Sequence, residues 1–325
     1  MDNFQKNDII LQAKKNGTIM DTQREGGNFK GIICAIISSG TFGLIPLFSI
    51  PLLLSGLSSQ TILFWRFVLA ALMMGIVALA TKRSFRITLH EVWTLLLLAV
   101  MYSATALGLL QSYNYIPSGV ATTISFLYPL AVAIVMTLFF REKSSVWLFV
   151  AILISLAGVA LLSWNGEGIA GNRETLVGMG YAGLTVMTYM VYIVGVMKSS
   201  VSRLDPMILA FYVLLFSSLF FLLYTTTGNG FQTPSTWNQW QNMLLLALIP
   251  TVLSNLTLIL AIQQIGSTMT SILGSMEPLT AVLVGVFRFG ESFSLDTAIG
   301  LILIISAVMI VILNPGRTKR HTATA

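Results

Sequence analysis

Charge is what this chain has least of. Asp, Glu, Lys and Arg make up 9% of its 325 residues, against about 25% in an ordinary soluble domain. So few polar groups cannot clothe a water-soluble surface, which excludes a soluble enzyme and a disordered chain. Cysteine is nearly missing too: Cys34 stands alone, so no internal disulfide scaffold can form. The two histidines, His90 and His321, sit at a loop edge and in the C-terminal tail without metal-ligand spacing. There is no G-x4-G-K-[ST] loop to cradle a nucleotide phosphate.

What is abundant is apolar surface. Hydrophobic residues make up 55% of the chain and the mean hydropathy is +0.84. A helix needs about 20 mostly apolar residues to cross the hydrocarbon core. Ten stretches meet that requirement: Lys30–Leu54, Ser59–Thr81, His90–Tyr113, Pro117–Phe140, Ser145–Ser163, Thr175–Ser199, Asp205–Thr226, Gln239–Gln263, Ser267–Phe289 and Ser294–Leu313. Most separators are short and carry Gly, Pro, Ser or a charge. The runs stay apolar far longer than the alternating strands of an outer-membrane barrel would. The sequence therefore predicts an all-α polytopic membrane protein with ten transmembrane helices. Residues 1–29 form a polar tail without an apolar core, and residues 314–325 a second, short tail. The first apolar run is too long for a cleaved signal peptide, and Met20 is an alternative start.

Lys and Arg collect in cytoplasmic loops. With the N-terminus inside, Lys6, Lys14, Lys15, Arg24, Lys30, Lys82, Arg83, Arg86, Arg141, Lys143, Lys198, Arg203, Arg317, Lys319 and Arg320 all fall on the inner side. Only Arg173 and Arg288 fall outside, and Arg66 lies within the second span. Both termini are thus expected in the cytoplasm. The net charge of +6 marks orientation, and no nucleic-acid partner is expected.

The second half repeats the first. SGVATTISFLYPLAVAIVMTLFFRE lies above STMTSILGSMEPLTAVLVGVFRFGE at one constant shift, which pairs Pro129 with Pro278 and Glu142 with Glu291. Apolar composition alone does not easily place a Pro and a Glu at the same spacing twice. Each copy spans an odd number of helices, so the second lies upside down in the bilayer, giving a 5+5 inverted repeat over residues 30–163 and 175–313. Inverted repeats are an architecture of secondary transporters, with the substrate near the midplane.

These residues resemble the EamA family of the drug/metabolite transporter (DMT) superfamily. The resemblance covers Lys30 to Leu313 and includes Arg66, the Glu277-Pro278 pair and the Gly-rich opening helix GIICAIISSGTFGLIPLF. It implies a bundle in which spans 1–4 and 6–9 line a central cavity and spans 5 and 10 act as peripheral supports. It also implies transport of amino acids, other small metabolites or drugs without ATP.

Two charges lie inside the membrane, Glu277 mid-way along span 9 and Arg66 early in span 2. A charge there usually faces a cavity or a partner. For Glu277 the readings are a substrate amine or a coupling proton, a structural contact beside Pro278, or an ion pair with Arg66. For Arg66 they are substrate binding or anchoring toward the outer head groups. Thr270, Gly274 and Thr280 share the helical face of Glu277. The related stripe in span 4 is Ala121, Ser125, Tyr128 and Ala131, and span 6 offers Tyr181, Thr185, Thr188 and Tyr192. Cys34, Ser38 and Thr41 are the span 1 counterpart, and Asn255 lies deep in span 8. Such small polar stripes serve a cavity or close helix packing equally well. Trp65 reads as an interfacial residue or a cavity wall.

No catalytic pairing, cofactor or metal site is expected. The sequence predicts a secondary transporter of small organic metabolites in the cytoplasmic membrane, working by alternating access, with export favoured by the resemblance. The bilayer and a small molecule are its expected partners, with a homodimer left open. The alternatives are a proton-coupled drug exporter and a non-transporting accessory or lipid-binding membrane protein.

Overall fold

The computed structural model describes residues 29–141, 146–162, 173–227, 231–274 and 276–313. Among them the chain is helical and contains no strand. The helices are α1 (29–42), α2 (Ile45–Leu54), α3 (Ser59–Ala80), α4 (Leu89–Ser112), α5 (Ser118–Ser125), α6 (Tyr128–Leu138), α7 (Val146–Leu162), α8 (Arg173–Lys198), α9 (Pro206–Thr227), α10 (Trp237–Ala247), α11 (Ser254–Leu273), α12 (Met276–Phe289) and α13 (Leu295–Leu313). Among the described residues seven segments are long and apolar enough to cross a membrane, and 149–158 and 295–310 are shorter apolar helices. The polar tails, Glu142, Lys143 and Asn229 lie outside the described residues.

Helix starts fall at polar separators because a side chain there satisfies an orphan amide. Thr88 and Glu91 form a reciprocal capping box on α4, as do Thr236 and Gln239 on α10, while Ser58 caps α3. Large apolar side chains face outward along the helices, among them Phe287 at 84% and Leu153 at 70% exposure. On a soluble protein so much exposed apolar surface would drive aggregation. On a membrane protein it faces lipid.

The principal pairings are α7 with α13, α4 with α8, α3 with α9, α4 with α9, α5 with α12, α6 with α8, and α2 with α10. Exchanging the two matched halves span for span turns α4–α8 into α10–α2 and α4–α9 into α10–α3, and maps α3–α9, α7–α13 and the contact between spans 4 and 9 onto themselves.

Four prolines mark breaks. A proline has no N–H for the carbonyl four residues back, and its ring clashes there. Pro46 follows the break at Gly43-Leu44, and Pro129 follows the one at Phe126-Leu127. Pro278 follows the break after Leu273, and Pro250 lies in the π-helical turn Leu248–Leu253. One boundary differs from the expectation. A separator between Gln263 and Ser267 was predicted, yet helical bonding continues through it to Leu273. That separator holds Gln and Gly but no proline, so every amide stays available. The chain still reverses here. Ser38 bonds Ser254, Gly31 abuts Gln264 and Ile265, and the later Gly43 abuts Glu277. Measured along α1, the neighbouring chain therefore descends from Ser254 to Ile265 and climbs back to Glu277.

Candidate functional site

Three of the breaks meet around Glu277. It occupies the first turn of α12, where the helix dipole favours an anion. A Cβ at Gly43 would strike the Glu277 carbonyl and the Thr280 side chain, so glycine lets the α1–α2 break press against the α12 start. Tyr128 follows the α5–α6 break and lies within electrostatic range of Glu277. The Glu277 carboxylate has no ion pair or side-chain hydrogen bond among the described residues.

Arg66 is 4% exposed, on α3. Its position follows from Pro250. Leu246 loses the helical donor that Pro250 cannot supply, and the Thr251 hydroxyl donates to the Leu246 carbonyl instead at 3.0 Å. The same hydroxyl oxygen accepts from Arg66 Nε at 2.9 Å. The Arg66 guanidinium carries five N–H donors, and no further acceptor reaches it among the described residues. Arg66 and Glu277 do not pair, since Arg83–Asp205 at 2.7 Å is the ion pair found among the described residues. Tyr102 and Tyr113 lie within electrostatic range of both charges. Of the readings offered for the two charges, the Arg66–Glu277 ion pair is not formed among the described residues, and Arg66 is buried.

Other expected residues divide into two groups. Tyr128 and Tyr192 join a tyrosine cluster with Tyr102 and Tyr189. Ser125 and Thr185 bond each other at 2.7 Å, and Thr188 bonds Thr105 at 2.8 Å, so these hydroxyls hold α8 against α5 and α4. Asn255 donates to the Thr251 carbonyl at 2.6 Å on its own helix and supports the π turn. Thr270 is buried on α11, and Gly274 forms the turn before α12. Tyr181 stacks on Tyr115 at 5.9 Å, outside the tyrosine cluster. Trp65 packs edge-on against Trp240 at 5.0 Å and donates to the Gln232 carbonyl at 3.3 Å.

Sequence reasoning missed Tyr102 and Tyr189. The available signal was a tyrosine well inside a span rather than in the interfacial belt where aromatic residues usually anchor. It also missed the role of Glu291. That carboxylate accepts from the Ser118 amide at 2.8 Å, the Ser118 hydroxyl at 2.7 Å and the Gly119 amide at 3.4 Å. It thereby caps α5 from the far end of α12.

The sequence profile of the EamA-like transporter family matches residues 29–164 and 177–313, as two repeats. An uncharacterized transporter of Bacillus subtilis (strain 168), YvbV, is 26% identical over 272 residues, covering 81% of this chain and 83% of its own. A protein of known crystal structure superposes with a TM-score of 0.62 at 17% identity, over 89% of this chain and 97% of its own. Breaks, repeats and relatives agree: this is a multi-pass membrane transporter of the DMT superfamily, and the chain belongs to the EamA-like transporter family.

Proposed function

We propose that the protein is a secondary transporter that exports small zwitterionic metabolites, amino acids or related compounds, across the cytoplasmic membrane by alternating access. The observation that carries this reading is the separation of Arg66 from Glu277. Opposite charges attract strongly where the dielectric is low, and leaving Arg66 buried and Glu277 half-buried, each without an ion-pair partner, is costly. A substrate bringing an acid to Arg66 and an amine to Glu277 satisfies both at once. The pair sums to zero, so the site favours a net-neutral molecule over a plain cation or anion. Tyr128, together with Ser125 and Thr185 behind it, forms part of the wall, while Thr270, Gly274, Tyr192 and Asn255 shape the surrounding helices.

The two-repeat match and the exchange-invariant helix pairings support ten spans in a 5+5 inverted arrangement. Loop charges support cytoplasmic termini. Breaks in spans 1, 4, 8 and 9 are where a rocking transporter exposes its substrate. The test is a comparison of extracellular metabolites from cells with and without overexpression. Accumulation of one or a few zwitterions is expected, whereas an unchanged profile argues against export. The tyrosine cluster favours one second reading, a proton-coupled drug exporter in which Glu277 carries the proton. Resistance to a lipophilic cation, with no change in amino acid efflux, would select it.

A further inference from the structure

Four tyrosines from α4, α6 and α8 form an unbroken aromatic wall. Tyr102 of α4 tilts against Tyr192 of α8 with ring centres 5.3 Å apart. Tyr192 stacks with Tyr189 at 5.7 Å and an interplanar angle of 6°. Tyr189 meets Tyr128 of α6 edge-on at 4.6 Å. Tyr102, Tyr128 and Tyr189 each lie within electrostatic range of Glu277. All four rings are partly buried, and none of their hydroxyls has a hydrogen-bond partner among the described residues. Two tyrosines elsewhere are satisfied: Tyr113 bonds Thr122 at 3.3 Å, and Tyr212 donates to the Phe85 carbonyl at 2.8 Å.

None of these hydroxyl oxygens is among the fully buried polar atoms without a partner, so each opens onto accessible space. Four together, inside a membrane bundle, must meet water or a ligand. A wall meant for an aliphatic group needs no hydroxyls, because leucine and valine would line it at lower cost. Tyrosine faces offer a quadrupole to a ring, and their rims offer polar contacts to substituents on its edge. We propose that this wall is a specificity subsite for an aromatic or heteroaromatic ring of the substrate, whose amine and acid groups engage Glu277 and Arg66. The proposal rests on the zwitterion reading above and adds which side chain the zwitterion carries.

The full-length protein, purified and reconstituted in liposomes, decides it by counterflow of labelled amino acids. Tyrosine, tryptophan and phenylalanine are compared with leucine and valine. The wild type should favour the aromatic set by about tenfold in kcat/KM. Tyr189→Leu and Tyr192→Leu should erase that preference by raising KM for the aromatic set about tenfold more than for leucine, at an unchanged melting temperature. Tyr189→Phe should keep the preference for phenylalanine. Equal transport of both sets by the wild type overturns the subsite, as does a preference that neither leucine variant moves. Transport of no amino acid at all overturns the zwitterion reading itself, and the subsite falls with it. The wild-type comparison needs no variant, so it tests the subsite even where a substitution fails to fold.

Discussion

Pro250 has no amide hydrogen to offer Leu246, and the repair of that defect is what positions Arg66. One hydroxyl, on Thr251, donates to the freed carbonyl and accepts from the guanidinium. Thr251→Val keeps the shape and removes both bonds. Each buried orphan costs about 1–3 kcal/mol, so the valine variant should melt clearly lower in detergent while Thr251→Ser should not. A valine variant that melts like the wild type would mean that water or backbone relaxation replaces the hydroxyl. At this scale the sequence was legible for charge and opaque for partners. Arg66 and Glu277 stand out because a charge inside a span is rare. Ser125, Thr185 and Asn255 stand out equally as polar residues at depth, yet their hydrogen bonds go to neighbouring or own helices. Helical periodicity gives the face a residue occupies and not the helix that comes to meet it.

The elements depend on what holds their interrupted ends. α5 is only eight residues long and is preceded by Pro117, which supplies no capping side chain, so the Glu291 carboxylate does so from just past the end of α12. Gly285 makes room for it, because a Cβ there would collide with that carboxylate. Charge near a helix start and a side-chain cap are each worth about 1 kcal/mol. Glu291→Ala should therefore lower the melting temperature, with Glu291→Gln intermediate because it keeps an acceptor but loses the charge. Gly285→Val should resemble the alanine variant by pushing the carboxylate away. If all three match the wild type, the cap contributes nothing to holding α5. The repeat made Glu291 conspicuous in the sequence by pairing it with Glu142, but not its role, since capping a distant helix leaves no local pattern. Span ends were legible to within a few residues from Ser, Thr, Pro and charges. The interior breaks were harder. Pro129 and Pro278 announced them, whereas the π turn at Pro250 and the continued helical bonding past Gln264 depend on tertiary contacts with Arg66 and α1.

At the scale of the whole molecule, orientation and transport have to agree. Cysteines placed at Lys82, Lys143 or Arg203 in a Cys34→Ser background should resist an impermeant thiol reagent applied outside cells, while one at Asn229 should react. External labelling at Lys82 would reverse the charge rule and the inverted arrangement with it. The fold class, the repeat and the family were all legible in the sequence because apolar run length and the duplicated Pro–Glu spacing survive without any knowledge of packing. The charges that do not meet were not legible, because the sequence places Arg66 and Glu277 at depth without saying how far apart they lie. The most direct measurement of the central claim is counterflow of a labelled zwitterionic amino acid in liposomes holding wild type, Glu277→Gln or Arg66→Met protein. Transport by the wild type and its loss in both variants, each folded and present at the wild-type level, is the predicted result. Wild-type rates in both variants would contradict it and reduce the two charges to packing residues.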